Sequence, residues 1–230
     1  MSVRVIFDLD DTLYPERDYA IGGFRAVSRH LTAAYGAPDT TDEMVSLLDQ
    51  GHLGGLFKIV LARVNPQFTD EDLKRALKAY AAHEPALTLF PDAAASLHHL
   101  AGAGTPMGLI TDGHAATQQA KVAALGIAPR FSQIVYTGAL GPDRSFHKPH
   151  PKAFEMMHAA LGGDADRFVY VGDNPAKDFI APRAMGWTTI MVDRPAERSR
   201  RIHKPASPSP AEAAHHVVTS LDQVVALLKR

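Results

Sequence analysis

The first strand has no partner near it in the sequence, and this constrains the fold more than any other feature. Residues 3–7, VRVIF, are a β-branched apolar run that reads as a buried strand ending at an aspartate. A lone strand does not persist in water, so this one must join strands that lie much further along the chain. From about residue 15 to 88 no strand pattern occurs. Ile21, Phe24, Val27 and Leu31 recur at helical spacing with Gly36 as a stop. MVSLLDQ (44–50), GGLFKIVLARV (54–64) and DEDLKRALKAYAA (70–82) continue the helical pattern. The whole block is therefore expected to be an insertion between the first strand and its neighbours.

After LFPDA (89–93) the pattern alternates. Strands are predicted at 107–112, 133–136, 168–173, 188–192 and 215–218, with helices at 93–102, 115–125, 151–161, 178–185 and 220–229. Short apolar strands separated by helices specify an α/β fold with a mostly parallel sheet covered on both faces. The expected organisation is an α/β core formed by residues 1–14 and 89–230, interrupted by a helical domain at 15–88. The Pro- and Ser-rich segment HKPASPSPAE (203–212) reads as a surface loop.

Composition removes several classes of function. Lys and Arg number 24 against 25 Asp and Glu, a net charge of −1, so neither a nucleic-acid footprint nor a polybasic membrane anchor is expected. The absence of cysteine excludes disulfides, thiolate metal sites and cysteine nucleophiles. The short N-terminal apolar run ends in acids, which does not suit a signal peptide, and no stretch suggests a membrane span. A soluble, cytoplasmic protein is the expectation. Nothing in the chain specifies an oligomeric state.

Open α/β sheets bind ligands at the carboxyl ends of their strands, and that is where the chemistry-bearing residues fall. FDLDDTLY (7–14) sets Asp8, Asp10 and Asp11 directly after the first strand. Carboxylates this close repel one another, and burying them is costly without a compensating cation or hydrogen-bond donors. An EF-hand loop also starts D-x-D, but it needs glycine at its sixth position, where Leu13 stands, and flanking helices. Thr111, Asp112 and Gly113 follow the second strand and offer a hydroxyl with accessible backbone amides, a grip suited to phosphate. Lys148 lies in HKPHP, a loop stiffened by two prolines. GDNPAKD (172–178) carries Asp173 and Asp178, the latter near a predicted helix start where carboxylates are favoured in any case.

Together the four segments DLDDT (8–12), LIT (109–111), HKP (147–149) and GDNPAKD (172–178) resemble the haloacid dehalogenase (HAD) superfamily in order and spacing. The resemblance spans the first fifteen residues and about 90–225, and it implies a Rossmann-like parallel core with a helical cap inserted after the first motif. It further implies that Asp8 is a nucleophile forming an aspartyl-phosphate and that Asp10 is the general acid and then base. Thr111, with Asp112 beside it, and Lys148 would bind the phosphoryl group. Magnesium would be held by Asp8, the Asp10 backbone carbonyl and Asp173, with Asp178 orienting the metal shell or Lys148. Dehalogenases of the superfamily typically lack the second aspartate, so Asp10 points to phosphoryl chemistry. The expected function is magnesium-dependent hydrolysis of a small soluble phosphomonoester, a sugar phosphate or nucleoside monophosphate. A phosphomutase of the β-phosphoglucomutase kind and a non-catalytic binding protein on the same fold are the alternatives. Tyr14, Glu16, Arg17 and His52 are candidates for substrate selection.

Overall fold

The computed structural model describes residues 3–162, 167–198, 200–202, 209–210 and 212–229. The chain divides into two compact units. The first comprises Met1–Pro15, Thr88–Ser199 and His203–Arg230, the second Glu16–Leu87 with Arg200–Ile202.

The first unit is built on six strands: β1 (Val3–Phe7), β2 (Met107–Thr111), β3 (Gln133–Tyr136), β4 (Arg167–Gly172), β5 (Thr188–Val192) and β6 (His216–Val218). They lie in the order β3-β2-β1-β4-β5-β6, and every pairing is parallel. β1 is thus a central strand between β2 and β4, its neighbours coming from far along the chain, as its isolation in the sequence requires. Chain order runs away from β1 in one direction through β2 and β3, and in the other through β4 to β6. The crevice at such a reversal is where open α/β sheets receive ligands.

One face of the sheet packs with α7 (Lys152–Leu161). There Ile6, Ile110, Phe154, Met157, Tyr170 and Trp187 form a continuous buried core. Phe154 meets Tyr170 and Trp187 edge-on, at ring separations of 5.1 and 5.9 Å, geometries that favour aromatic pairs. Elsewhere in the unit α5 (Pro91–Gly102) packs on α10 (Leu221–Leu228), and α6 (Ala115–Ala124) leads from β2 towards β3. The helix predicted at 178–185 is instead two short pieces, α8 (Pro175–Asp178) and α9 (Ile180–Ala184), separated at Phe179. Pro175 suits a helix start, while Pro182 has no N–H for a continuous ladder across the break. Most of the segment 203–212 lies outside the described residues.

The second unit is helical: α1 (Glu16–Tyr35), α2 (Thr41–Asp49), α3 (Leu56–Val64) and α4 (Asp70–Ala81). The apolar positions read from the sequence, Phe24, Val27 and Leu31, are buried with Met44, Val60 and Leu61, and Ile202 packs against this core. One helix start is closed by local side chains. Thr69 and Asp72 form a capping box at the start of α4, satisfying two backbone donors that a helix start leaves open. Among the described residues no helix is long and apolar enough to cross a membrane.

Candidate active site

Parallel register brings the carboxyl ends of β1 and β4 together. Phe7 pairs with Val171, and the Asp8 amide donates to the Val171 carbonyl at 2.9 Å. Asp8 therefore leaves β1 level with the Gly172–Asp173 end of β4. Gly172 permits a close approach here, since a Cβ at that position would lie 2.5 Å from Asp178 Oδ2. Asp178 lies near a helix start as expected, in the single turn of the short α8, whose cap Asn174 accepts from the Ala176 amide with its side chain. Its Oδ2 accepts from the amide of that cap residue, Asn174, at 2.9 Å, and its Oδ1 accepts from Lys148.

Lys148 joins these groups. Its fully buried ammonium donates to Asp8 Oδ1 at 2.6 Å, Asp178 Oδ1 at 2.7 Å and the Tyr170 hydroxyl at 3.0 Å. Burial alone would lower the lysine, but Asp178, Asp8 and Asp112 hold it protonated above its ordinary range. Asp178 is buried too, yet Lys148 and Lys177 keep it below the usual carboxylate range. Asp8 goes the other way: burial outweighs Lys148 and pushes it up to about 6. Asp173 is raised well above its ordinary value by burial, then by the charges of Asp178 and Asp8.

The donor set fits a divalent cation. One carboxylate oxygen each from Asp8, Asp173 and Asp178 lies within 4.8 Å of the others. Asp8 Oδ2 is buried without a hydrogen-bond partner. Hard oxygen donors of this kind suit magnesium. The expected set was Asp8, Asp10 and Asp173. Asp178 joins Asp8 and Asp173, while the Asp10 carboxylate is engaged elsewhere.

Asp10 sits in a second network. Oδ1 accepts from the Tyr14 hydroxyl at 2.5 Å and from Lys121 Nζ at 2.7 Å, and Oδ2 accepts from Gln118 Nε2 at 2.9 Å. Burial would raise Asp10, but Lys121 and these hydrogen bonds hold it below its ordinary range. Its side chain retains 16% exposure, against 1% for Asp8, so the more open of the two carboxylates is the one with three donors. Gln118 also donates to Thr111 Oγ1 at 2.5 Å, linking the ends of β1 and β2.

Asp112 turns to the neighbouring loops. Its Oδ1 accepts from Thr137 Oγ1 at 2.8 Å and from the Lys148 amide at 3.1 Å, so it anchors the segment that carries Lys148. Gly138 completes this junction, because a Cβ there would lie 2.1 Å from the Gly113 carbonyl. The substrate-selection candidates separate. Tyr14 is fully buried and belongs to the Asp10 network. In the helical unit Glu16 opens α1, Arg17 is gripped by both oxygens of Asp49 at 2.5 and 2.8 Å, and His52 is exposed.

Sequence reading missed Gln118, Lys121, Thr137 and Tyr170. Gln118 and Lys121 occur in QQAK, an ordinary polar helical run. Only the spacing of three positions, which sets both on one helix face, carried any signal.

A family model for haloacid dehalogenase-like hydrolases matches residues 5–192. The chain belongs to this family. A glyceraldehyde 3-phosphate phosphatase of Methanopyrus kandleri is 30% identical over 203 residues, covering 84% of this chain and 85% of the relative. A phosphoglycolate phosphatase of Yersinia pseudotuberculosis is 32% identical over 195 residues, covering 81% and 78%. Among solved structures, a HAD-hydrolase of Bacillus subtilis bound to magnesium superposes with a TM-score of 0.69 at 16% identity, covering 100% of this chain and 99% of that one. That likeness speaks for the HAD fold.

Proposed function

We propose that this HAD-family chain is a magnesium-dependent phosphomonoester hydrolase that works through an aspartyl-phosphate on Asp8. One observation carries the reading: a buried carboxylate oxygen, Asp8 Oδ2, has no partner, while its other oxygen is fixed by Lys148. An acceptor held in one orientation with a free lone pair is what attack on phosphorus needs. Lys148 and the Thr111 hydroxyl, at the end of adjacent β2, would take the phosphoryl oxygens and stabilise charge that develops during transfer. Asp8, Asp173 and Asp178, with the Asp10 carbonyl, would hold magnesium, which supplies positive charge that lets an anionic carboxylate approach an anionic phosphate.

Asp10 would protonate the leaving oxygen and later take a proton from the attacking water. As the carboxylate described above it suits the second task. An arriving phosphate dianion favours its protonated form, since like charge raises a carboxyl group, and so prepares the first. The relatives are named for glyceraldehyde 3-phosphate and phosphoglycolate, which supports a small phosphorylated metabolite as substrate; a sugar phosphate fits that size class, and a nucleoside monophosphate is the larger candidate. The helical unit, inserted between Asp8–Asp10 and Thr111 in the chain, is proposed as the substrate-selecting cap.

Turnover of a panel of phosphorylated metabolites should be lost in chelator and restored by magnesium but not by calcium, whose larger coordination shell suits different geometry. Acid quench during turnover should trap hydroxylamine-labile phosphate on the peptide containing Asp8. Label on a serine or histidine peptide, or full activity in chelator, would overturn the mechanism.

A further inference from the structure

Two long polar side chains of α6, Gln118 and Lys121, are 1% and 3% exposed. Such residues are seldom buried this deeply unless they are paired, and both are paired with one carboxylate. Lys121 Nζ and the Tyr14 hydroxyl meet Asp10 Oδ1, and Gln118 Nε2 meets Oδ2. Each carboxylate oxygen accepts about two hydrogen bonds. Oδ1 is therefore saturated, while Oδ2 keeps one lone-pair direction open. The two oxygens of Asp10 are not equivalent.

Gln118 extends the ordering to Thr111. Both hydrogens of its amide nitrogen are used, one on Asp10 Oδ2 and one on Thr111 Oγ1. The reversed amide would set Oε1 against the carboxylate, acceptor facing acceptor, so chemistry fixes its orientation. Because Thr111 Oγ1 accepts from Gln118, its own proton is directed elsewhere. One glutamine thus leaves an open acceptor on Asp10 and a free donor on Thr111.

We propose that Gln118 and Lys121 are positioning residues that make Oδ2 the reacting oxygen of Asp10 and aim the Thr111 hydroxyl proton at a phosphoryl oxygen. The proposal rests on the reading of Asp10 as the acid for the leaving group. Oδ2 would give its proton to the departing ester oxygen as the P–O bond to that oxygen breaks and the bond from Asp8 to phosphorus forms.

The test compares two esters in the magnesium-loaded enzyme. A simple alkyl phosphate needs a proton on its leaving oxygen, whereas 4-nitrophenyl phosphate releases a stable phenolate without one. The measured quantity is kcat/KM, which reports phosphoryl transfer to the enzyme and not the later hydrolysis common to both. Misplacement by a fraction of an ångström to an ångström can cost up to about 10²-fold. Lys121→Met and Gln118→Met should therefore lower kcat/KM for the alkyl ester by about 10- to 100-fold more than for the aryl ester, as Asp10→Asn should. General damage to the fold would lower both alike. Gln118→Met removes no charge and carries the test if Lys121→Met does not fold.

Equal losses on the two esters, or an unchanged ratio, in variants that melt like the wild type would overturn the positioning role. A wild-type enzyme inactive on both esters, or an unselective Asp10→Asn, would instead overturn the acid role beneath it.

Discussion

Two aspartates of the helical unit, Asp39 and Asp72, and two of the α/β unit, Asp8 and Asp173, are perturbed in opposite directions. Asp39 and Asp72 answer local backbone needs. Asp39 accepts from Ser28 Oγ and the Thr41 amide at the start of α2, both at 2.8 Å. Asp72 completes the α4 capping box and accepts from the Tyr35 hydroxyl at 2.7 Å. Both are held at about 2, first of all by the hydrogen bonds from Thr41 and Tyr35 respectively. Asp8 and Asp173 are raised, first by burial and then, for Asp173, by neighbouring acids. The same residue type satisfies backbone donors in the helical unit, and at Asp8 and Asp173 is buried beside other acids in the α/β unit. Carboxylates raised by burial beside other acids at the end of parallel strands are candidates for function, whereas Asp39 and Asp72 serve the backbone.

The largest expected contrast is in turnover. Asp8→Asn should lower kcat by more than about 10⁴-fold, the scale seen when a nucleophile is removed. Asp72→Asn should leave kcat within about twofold, since loss of a helix cap acts on stability and not on the reacting groups. A steady-state comparison on one phosphate ester decides this. An active Asp8→Asn, or an inactive but folded Asp72→Asn, would erase the distinction.

A smaller effect lies in the response to metal. If the α/β acids lack a cation, magnesium at about 100 times its dissociation constant should stabilise the protein by about 2.7 kcal/mol, read as a rise in melting temperature. Asp173→Asn should melt higher than wild type in chelator, since it removes a charge that burial and two neighbours disfavour. It should also lose most of the magnesium response. A lower melting temperature for Asp173→Asn in chelator would mean that this carboxylate supports the fold.

The smallest effect is the acid limb of stability. Asp39 and Asp72 have folded values below their unfolded ones, so the unfolded chain takes up protons first as the pH falls. Their contribution is complete above about pH 4 and is lost as the pH drops towards about 2. Circular dichroism melts across that window should show a steeper decline for wild type than for a doubly substituted Asp39→Asn, Asp72→Asn chain. Parallel curves would place the acid sensitivity elsewhere.

Much of this division is legible in the residues themselves. Asp8, Asp10, Thr111, Lys148, Asp173 and Asp178 follow short apolar strands or occur in loops between them, and a parallel sheet gathers strand ends. Helical periodicity around Phe24, Val27 and Leu31 marks the insertion. These are local signals, fixed by the period of an element.

The order of residues therefore specifies the α/β class, the helical insertion and the residue types at the strand ends. Tertiary structure alone decided the pairings: Lys148 with Asp8 across 140 positions, Lys121 with Asp10 across 111, and Gln118 bridging Asp10 and Thr111. It also tied Asp178 to Lys148 and Tyr14 to Asp10. The physical reason is that a side chain's role follows from which partners reach it once it is desolvated. Contacts between distant strands and helices are set by sheet register and packing, for which no short-range pattern in the chain provides a code.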